Sequence, residues 1–493
     1  MGGYRRNGVR QLIVSVALAS TVFTGAARGG VFKVPVYLSG AEGYNIYRIP
    51  TIVKAANGDL LAFAEARAGG DASEIDIVVK RSTNAGKSWS PLSIVKDSAD
   101  FAGFFPPGAA PPITVGNQSP VVDLLDPVHP GRIWLPFTLE NDRVFVAYSD
   151  DHGATWSDHV EITSTAKDPS WDWYATGPVH GIQLTRGDAA GRLIIPSDHN
   201  VAGISAQGAH VLFSDDHGQS WQLGAVDTNV RSQSTSSPNE TLAVELTDGR
   251  VYFNARDAHA ANPGNRSVAY SSDGGLSFDP PQFVHDPRIT TPVVQNSAVR
   301  FRAADEGDSE NVILYAGPGD ASNRRNMTIR ASLDETASWT KTTVIHPGPA
   351  AYSDLVKLND EQFGVLFEGG ASLYNEILFA YMDYEDLDPA PWNGVTGDVD
   401  QDGSLTPADV AAFVDVWNPL TNEFFLGGVD SYQNGDLDFD GRVTLADVFQ
   451  LRQALIAGGV SAAGLSKLTQ VPELGSWHLA VIGALSGIAR RLI

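Results

Sequence analysis

One short turn motif recurs through the first two thirds of the chain and constrains its fold more than any other feature. The motif reads Ser-x-Asp-x-Gly-x-Ser/Thr-Trp, and five copies begin at Ser82, Ser149, Ser214, Ser271 and Ser332. The second and third copies are complete, whereas Asn replaces Asp in the first, Phe replaces Trp in the fourth, and the fifth lacks the glycine. Successive copies begin 57 to 67 residues apart. Such a period is typical of β-propellers, in which each repeat forms one blade.

The residues around these motifs are typical of short strands. From about residue 30 to residue 388, β-rich runs such as 76–80 and 144–148 alternate with Gly, Asp and Asn turns. In each motif the Asp carboxylate can accept hydrogen bonds from turn N–H groups, the glycine can adopt a positive φ, and the aromatic ring can pack between strands. We therefore interpret the motifs as structural turns without a catalytic role.

The composition excludes two classes of function. The formal net charge is −24 and the sequence pI is about 4.7. Because binding to nucleic acid regardless of sequence requires a basic surface, this chain is not expected to bind nucleic acid. The chain contains no cysteine, so it can form neither disulfides nor a thiolate nucleophile.

The N-terminus is typical of an exported protein. Three arginines precede an apolar run over 12–23, and small residues follow up to Ala27. A positively charged N-terminal region, a short apolar segment and a cleavage region of small residues indicate a secretory signal peptide, 1–27. Its apolar segment is too short for a stable membrane span. We expect the protein to be secreted or associated with the cell envelope.

The repeated turns are similar to the Asp boxes of the sialidase family. Tyr47-Arg48-Ile49-Pro50, which precedes the first box, resembles the Arg-Ile-Pro motif of that family. The resemblance covers about 35–385 and implies an all-β, six-bladed propeller. It also implies an exo-α-sialidase (a neuraminidase of glycoside hydrolase family 33) that acts on sialylated glycans, glycoproteins or glycolipids and needs no cofactor for catalysis.

The resemblance implies three arginines that bind the carboxylate of sialic acid. A carboxylate favours planar, bidentate donors, which arginine supplies better than lysine. Arg48 resembles the first arginine of the family's triad, and Arg256, in Phe-Asn-Ala-Arg, resembles the second. Arg324, three residues before Met327, is assigned as the third, with Arg325 as the open alternative.

Three further residues are candidates for the chemistry itself. Tyr352, in Ala-Tyr-Ser-Asp-Leu, resembles the family's nucleophile, and Glu240, in Pro-Asn-Glu-Thr, resembles the base that accepts its proton. A phenol with a pKa near 10 needs such a base at neutral pH. Asp71 lies where the family carries its acid/base aspartate, in a loop with two glycines. Asp76 is the alternative, although its position in the alternating run 75–79 favours a structural role.

Other residues are expected to shape the same pocket. Glu368, in Leu-Phe-Glu-Gly-Gly, resembles the glutamate that orients the first arginine, and Arg67 is expected to line the pocket. The segment 173–178 resembles a wall of the family's cleft, although Val179 stands where glycine is usual.

The residues after the propeller indicate a second, small domain. Two twelve-residue loops each place Asp at positions 1, 3, 5 and 12, with Gly at position 6, and the ligands are Asp398, Asp400, Asp402, Asp409, Asp436, Asp438, Asp440 and Asp447. This spacing is typical of EF-hand-type calcium loops, here with Asp replacing the usual Glu at position 12. Apolar residues at helical spacing follow each loop. The pair resembles a dockerin-type module, which implies bound Ca²⁺ and a possible cohesin-type partner.

The tail completes the predicted organisation. Val-Pro-Glu-Leu at 471–474, an apolar stretch and Arg490-Arg491 resemble a bacterial PEP-type sorting signal, with Pro-Glu-Leu replacing Pro-Glu-Pro. The predicted units are a signal peptide (1–27), the propeller (30–388), a linker (389–396), the dockerin-like module (397–459) and the tail (460–493).

Two alternatives to hydrolysis stay open at the level of the sequence. One is a catalytically inactive propeller that binds glycans. The other is a trans-sialidase or an intramolecular trans-sialidase, in which the same residues serve a different acceptor. Linkage preference, natural substrate and oligomeric state are not specified by any pattern in the sequence.

Overall fold

The regular structure of the chain consists mainly of short β-strands. The computed structural model describes residues 31–106, 112–204, 207–229, 236–258, 266–387, 395–417, 432–433, 435–437, 443–461, 464–466 and 468. The strands are β1 (Phe32–Leu38), β2 (Ile46–Lys54), β3 (Leu60–Arg67), β4 (Ile75–Ser82), β5 (Ser93–Lys96), β6 (Val115–Gly116), β7 (Val121–Asp123), β8 (Arg132–Leu139), β9 (Arg143–Ser149), β10 (Val160–Glu161), β11 (Trp171–Thr176), β12 (Ile182–Gln183), β13 (Leu193–Val201), β14 (Gln207–Ser214), β15 (Gln222–Val226), β16 (Pro238–Glu245), β17 (Val251–Asp257), β18 (Arg266–Ser271), β19 (Val284–Asp286), β20 (Ser297–Arg302), β21 (Val312–Pro318), β22 (Arg325–Ser332), β23 (Lys341–Pro349), β24 (Ser353–Lys357), β25 (Gln362–Gly369) and β26 (Glu376–Asp383). The α-helices are α1 (Thr163–Ala166), α2 (Pro407–Val416) and α3 (Leu445–Ala457).

The strands form six antiparallel sheets, which are the blades of a propeller. Blade 1 contains β2–β5, blade 2 β6–β10, blade 3 β11–β15, blade 4 β16–β19 and blade 5 β20–β23. Blade 6 combines β24–β26 with β1 from the other end of the propeller sequence, because Phe32 pairs with Tyr381 and Leu38 with Glu376. The predicted six-bladed propeller is therefore confirmed, and β1 closes the ring.

This closure explains why five motifs accompany six blades. Each Asp box in blades 1–5 connects the last two strands of its blade, for example β9 to β10. In blade 6 the fourth strand is β1, which arrives from the N-terminal side and needs no connecting turn. The sixth blade therefore has no place for a box in its sequence.

The box glycines are required by conformation and by space. Gly153 has φ +78°, and a Cβ added to it would lie 1.9 Å from Leu61 of blade 1. Gly218 has φ +81°, and its added Cβ would lie 2.1 Å from Trp134 of blade 2. The fifth copy has Thr336 at this position, with φ +71° and its N–H bonded to Ser332 Oγ at 2.9 Å. Each of these glycine turns therefore packs directly on the preceding blade, which a larger residue would push away.

The apolar core of the propeller lies between neighbouring blades. Phe63 and Val79 of blade 1 pack with Leu135 and Phe145 of blade 2, and comparable clusters occupy each of the other interfaces around the ring. Box aromatics extend these contacts, since Trp156 meets Phe63 edge-on with ring centroids 5.7 Å apart. Packing between blades thus fixes their angles and leaves the loops at the ends free to carry polar side chains.

The C-terminal residues form a separate apolar cluster. Val410 and Phe413 of α2 are buried with Leu451 and Leu455 of α3. Both helices begin with a capping box, Thr-x-x-Asp, in which the Asp is the predicted calcium ligand at position 12. Among the described residues, no helix is long and apolar enough to span a membrane.

Several predicted features lie outside the described residues. These are the signal peptide, most of the linker, the ligands Asp438 and Asp440, and the tail from residue 469 onward. Export and the sorting signal therefore stay predictions from the sequence.

Two histidines are buried together in blade 3. His199 stacks on Trp171 with ring centroids 3.8 Å apart, and its Nδ1 lies 3.2 Å from Nδ1 of His210. Burial lowers the pKa of His199 to about 3 and holds the pKa of His210 well below its ordinary value. Both side chains are therefore neutral in the folded protein near neutral pH.

We predict that this pair makes the propeller sensitive to acid. Below about pH 6.5 the unfolded chain protonates both histidines and the folded protein does not, so each lowers the free energy of unfolding by about 1.4 kcal/mol per pH unit as the pH falls. Replacing His199 by Phe, which preserves the stack on Trp171, should reduce this slope in urea unfolding between pH 6.5 and 4.5.

The control is His129→Gln, because the side chain of His129 is 46% exposed. This variant controls for the loss of one histidine from the chain. The slopes of the variants must be compared with one another, because the wild-type slope contains other contributions. Burial raises the pKa of Asp227 to about 6, so this carboxyl increases the free energy of unfolding as the pH falls, whereas the histidines decrease it. An unchanged slope in His199→Phe would contradict the prediction.

Candidate active site

A polar pocket of about 460 Å³ lies where the loops and strand ends of all six blades meet. Seven of the residues predicted from the sequence line it: Arg48, Arg67, Asp71, Glu240, Arg256, Arg324 and Tyr352. The eighth, Glu368, is fully buried directly behind Arg48. Residues spread over 321 positions of the sequence are therefore brought to one place, because blade 1 contributes three of them, blades 4 and 6 two each and blade 5 one.

Glu368 on β25 holds Arg48 on β2. Glu368 Oε1 accepts hydrogen bonds from Arg48 Nε at 2.6 Å and from the N–H of Ile49 at 3.0 Å, and Oε2 accepts the N–H of Tyr352 at 3.3 Å. Burial by itself lowers the pKa of Arg48, but Glu368 and two neighbouring tyrosines outweigh it and raise the pKa. The guanidinium is therefore charged and fixed in direction before any ligand binds.

The backbone at Ile49 is strained in a way that aims Arg48. Ile49 has φ +56°, a conformation that is unfavourable for a β-branched residue. Its N–H is bonded to Glu368, and its carbonyl accepts Gln118 Nε2 at 2.6 Å. These two bonds stabilise the distortion, which also produces the bulge between β2 and β3.

The third arginine of the pocket is Arg324. It donates to Tyr374 Oη at 2.7 Å and to the carbonyl of Val293 at 3.2 Å. Among the described residues it has no carboxylate within ion-pair distance, so its charge is available to an anionic ligand. Arg325 lies away from the pocket, with its side chain 55% exposed and 3.8 Å from Asp320. The geometry therefore favours Arg324 over the alternative that the sequence left open.

Tyr352 and Glu240 are in direct contact across the pocket. The phenol donates to Glu240 Oε1, while Arg256 Nη1 lies 3.0 Å from Glu240 Oε2 and donates to the phenol oxygen at 3.3 Å. Burial and then Glu240 raise the pKa of Tyr352, although Arg256 and Arg48 act in the opposite direction. The phenol is therefore protonated in the free protein, with a carboxylate positioned to accept its proton.

Asp71 lies on the opposite side of the pocket, on the β3–β4 connection. Its carboxylate is bonded to Arg67 Nη1 and lies 3.7 Å from Arg48 Nη1, with its side chain 86% exposed. Partial burial acts to raise the pKa of Asp71, but Arg67 and Arg48 outweigh it and hold the pKa below its ordinary value. Asp76 does not line the pocket, since it accepts Tyr44 Oη at 2.6 Å and the N–H of Ser98 at 2.7 Å.

Two pocket residues that hold the arginines in place were missed at the level of the sequence. Glu65 is buried beneath Arg67 and accepts Arg67 Nε at 3.0 Å and the N–H of Asn117 at 2.8 Å. Its position two residues before Arg67 on one strand places both side chains on the same face, so this pair was predictable. Tyr374, whose ring lies 3.9 Å from the Arg48 guanidinium carbon, comes from the β25–β26 connection and had no signal in the sequence.

Trp173 forms part of the wall that the sequence predicted. It lines the pocket from β11 and is 38% exposed, beside Asn141 of the β8–β9 turn. Val179, where the family pattern has glycine, is buried among residues of blades 4 and 5 and does not reach the pocket.

Comparison with known proteins identifies the chain's relatives. Residues 58–365 match the family model described as a BNR repeat-like domain. The sialidase of Micromonospora viridifaciens is 31% identical over 410 residues, which cover 75% of this chain and 59% of that protein. Sialidase-2 of Mus musculus is 30% identical over 374 residues, which cover 68% of this chain and 92% of that protein. A sialidase of Bacteroides fragilis is covered over 62% of its length, so the chain spans about 60% of these two bacterial relatives.

Solved structures share the same fold. The Hadza microbial sialidase Hz136 superposes with a TM-score of 0.62 at 25% identity, covering 72% of this chain and 69% of that one. The intramolecular trans-sialidase of Ruminococcus gnavus superposes with a TM-score of 0.60 at 20% identity, covering 72% of this chain and 98% of that one. At 20% identity, the similarity to the Ruminococcus gnavus protein shows a shared fold alone.

Replacing Glu368 by Gln tests the support of Arg48. A Gln has one acceptor oxygen and no charge, so it cannot satisfy Arg48, Ile49 and Tyr352 together. We expect the affinity for a sialic acid analogue, the ligand predicted from the sequence, to fall about 10- to 100-fold in calorimetric titration.

Glu335→Gln is the matched control, because Glu335 binds Arg300 at 2.6 and 2.7 Å and the N–H of Thr247 at 2.9 Å without lining the pocket. Both variants should lower the melting temperature, whereas only Glu368→Gln should weaken binding. Equal affinities in the two variants would contradict the role assigned to Glu368.

Proposed function

The chain belongs to the sialidase family with BNR-type repeats, and from this premise we propose that it is a retaining exo-α-sialidase that releases terminal sialic acid from glycans, glycoproteins or glycolipids. The observation that carries the proposal is the contact between Tyr352 and Glu240 within a pocket lined by four arginines. A phenol bonded to a carboxylate is an unusual nucleophile, and it suits a substrate that carries its own negative charge beside the reacting carbon.

The substrate carboxylate binds to the triad Arg48, Arg256 and Arg324. Arg48 is held by Glu368 and Arg324 by Tyr374, so both guanidinium groups are in place before the substrate arrives. Planar guanidinium groups bind a carboxylate through paired N–H···O bonds, which fix the orientation of the sugar ring as well as its position. Orientation of this kind places the anomeric carbon next to the phenol oxygen of Tyr352.

In the first step the Tyr352 oxygen attacks the anomeric carbon while the bond to the leaving oxygen breaks. The phenol proton passes to Glu240, and Asp71 gives a proton to the leaving oxygen. Because burial and Glu240 raise the pKa of Tyr352, proton transfer accompanies the attack instead of preceding it. A neutral nucleophile avoids the repulsion that a carboxylate would meet from the substrate's own carboxylate.

In the second step water attacks the anomeric carbon of the sialyl-tyrosine intermediate. Asp71 accepts the proton of the water, the bond to Tyr352 breaks, and Glu240 returns the proton to the phenol oxygen. Two displacements at the same carbon give retention of configuration. Arg256, bonded to both Glu240 and Tyr352, stabilises the charge that moves between them.

The electrostatic surroundings of Asp71 must change before its carboxyl group can act as an acid. In the free protein Arg67 and Arg48 hold its pKa below the ordinary value, which favours the carboxylate over the acid. A bound substrate carboxylate supplies a second anion to Arg48 and thereby weakens this stabilisation of the Asp71 carboxylate. Asp71 is consequently a better proton donor in the complex than in the free protein.

We also propose that the C-terminal module binds Ca²⁺. Asp398, Asp400 and Asp409 each offer a carboxylate oxygen within 4.8 Å of the others, and carboxylate oxygens are the ligands that Ca²⁺ prefers. Asp402 belongs to the same loop, and Asp436 and Asp447 to the second loop. Bound calcium would neutralise these crowded carboxylates and join each loop to the helix that follows it. A cohesin-type partner stays a prediction from the resemblance of the sequence.

We predict that Tyr352→Phe lowers kcat on a fluorogenic sialoside by at least about 100-fold, because the nucleophilic oxygen is lost while the ring is preserved. Tyr381→Phe is the control, since Tyr381 stacks on Phe32 at the edge of blade 6, outside the pocket. The wild-type product, followed by NMR, should be free sialic acid that appears first as the α anomer.

Other outcomes of the same assay identify the alternatives. A wild-type protein that binds sialosides without turnover is a glycan-binding propeller. Transferred or anhydro products identify a trans-sialidase or an intramolecular trans-sialidase. Full activity of Tyr352→Phe would contradict the proposed mechanism.

Chelation tests the calcium proposal separately. We expect EGTA to lower the melting temperature of the C-terminal module and to leave turnover unchanged, because none of the predicted ligands lines the pocket. Asp400→Ala, which removes a ligand of the first loop only, should reduce the effect of calcium on melting, whereas Asp415→Ala, at an exposed position on α2, should preserve it. Identical melting curves with and without calcium would disprove the assignment.

A further inference from the structure

One buried carboxylate close to Tyr352 has no part in the proposed chemistry. Asp354 follows Tyr352 by two residues, lies on β24 and is fully buried. Its Oδ2 accepts the N–H of Ile52 at 2.9 Å and the N–H of His180 at 3.2 Å, and its Oδ1 lies 2.7 Å from His180 Nδ1. Asp354 therefore joins blade 6 to blade 1, through Ile52, and to the β11–β12 connection of blade 3, through His180.

Each of these contacts reaches a part of the chain that shapes the pocket. Ile52 lies four residues after Arg48 on β2, and the β11–β12 connection begins after the strand that carries Trp173. Asp354 itself is on the strand that follows Tyr352. One side chain thus couples the nucleophile, the first arginine and one wall of the pocket through the interior of the propeller.

The backbone next to Tyr352 is fixed by its other neighbours as well. Tyr352 exchanges hydrogen bonds with Glu368, and Ser353 exchanges two with the side chain of Gln295 at 2.9 and 3.0 Å. The contacts of Glu368 and Gln295 come from blades 6 and 5. The hydrogen bonds of Asp354 come instead from Ile52 of blade 1 and His180 of blade 3.

Burial of the Asp354 carboxylate is unfavourable for the free energy of folding. A carboxylate in the interior loses its hydration, and an apolar side chain of similar size often gives equal or greater stability. Burial by itself lowers the pKa of a histidine, yet Asp354 outweighs this effect and raises the pKa of His180. Asp354 therefore favours the protonated imidazole of His180, and a hydrogen bond from a charged imidazole holds the two residues together more strongly than a neutral one.

We propose that Asp354 and His180 are positioning residues that hold the Tyr352 phenol in line with Glu240 and with the arginines of the pocket. This inference rests on the proposed sialidase function. Neither residue lines the pocket, so neither touches the substrate. Their effect passes through the backbone of β24, and a displacement of about 1 Å in a nucleophile can lower a rate about 100-fold.

The chain contains a second pair that serves as a matched control. Asp123 is also fully buried, its Oδ1 accepts the N–H groups of Leu125 at 3.2 Å and Asp126 at 3.0 Å, and its Oδ2 lies 2.9 Å from His217 Nδ1. Asp123 and His217 join blades 2 and 3 without lining the pocket. The two pairs share their chemistry and differ in their distance along the chain from the nucleophile.

The experiment compares Asp354→Asn and His180→Gln with Asp123→Asn and His217→Gln in the full chain. All four should lower the melting temperature. Only the first two should lower kcat on a fluorogenic sialoside, by about 10- to 100-fold, with KM changed less than about threefold. Labelling of Tyr352 by a 2,3-difluorosialic acid should slow in the same proportion, whereas binding of an unsaturated sialic acid analogue should be nearly unchanged.

The outcomes separate this inference from the function on which it rests. A wild-type protein without turnover would overturn both. With an active wild type, normal kcat in Asp354→Asn and His180→Gln would overturn the positioning role alone. An equal loss of kcat in all four variants would also overturn it, because the loss would then follow stability and not position. If Asp354→Asn does not fold, His180→Gln decides the question by the same criteria.

Discussion

The arrangement of the pocket depends on the buried carboxylate of Glu368. Its two oxygens accept hydrogen bonds from the Arg48 guanidinium, from the N–H of Ile49 and from the N–H of Tyr352. These partners belong to the first and last blades, which meet where β1 closes the ring. A single charge therefore fixes the arginine, the strained backbone next to it and the tyrosine of the neighbouring blade. Because blades 1 and 6 lie next to each other, the Glu368 side chain can reach Arg48, Ile49 and Tyr352.

The propeller provides the conditions that such a site needs. Its stability comes from apolar clusters between blades and from box turns packed on the preceding blade, as with Gly153 against Leu61. Because most of this packing lies between the strands of neighbouring blades, the pocket end can carry charged and strained residues without loss of the core. The result is an acidic protein with four arginines concentrated in one cavity. Each arginine is oriented by a partner of its own: Glu368, Glu65 and Glu240 for three of them and the Tyr374 hydroxyl for Arg324.

Much of the fold and most of the pocket could be predicted from the sequence. The boxes indicate blades because their Asp, Gly and aromatic residues each have a local role in a turn, and local roles are readable in sequence. The pocket residues were identified through motifs that resemble a family, and seven of the eight line one cavity. Glu65 could have been found from its spacing to Arg67. Tyr374 could not, because its partners lie far away in the chain and no local pattern marks it. Asp354 stands in the motif Ala-Tyr-Ser-Asp-Leu, but nothing in that motif indicates its distant partners Ile52 and His180.

The sequence by itself determined the chemistry of the five boxes, the residue types of the pocket and the acidic loops of the C-terminal module. The tertiary structure decided that Arg324 lines the pocket and Arg325 does not, since successive side chains at the start of a strand point to opposite sides. It also decided that Ile49 adopts a left-handed backbone and that Asp71 lies against two arginines in the free protein. These features depend on contacts between blades, and such contacts exist only once the ring is closed by β1. Local sequence determines which secondary structure each segment can form. Closure of the ring by β1 determines which charged side chains come into contact.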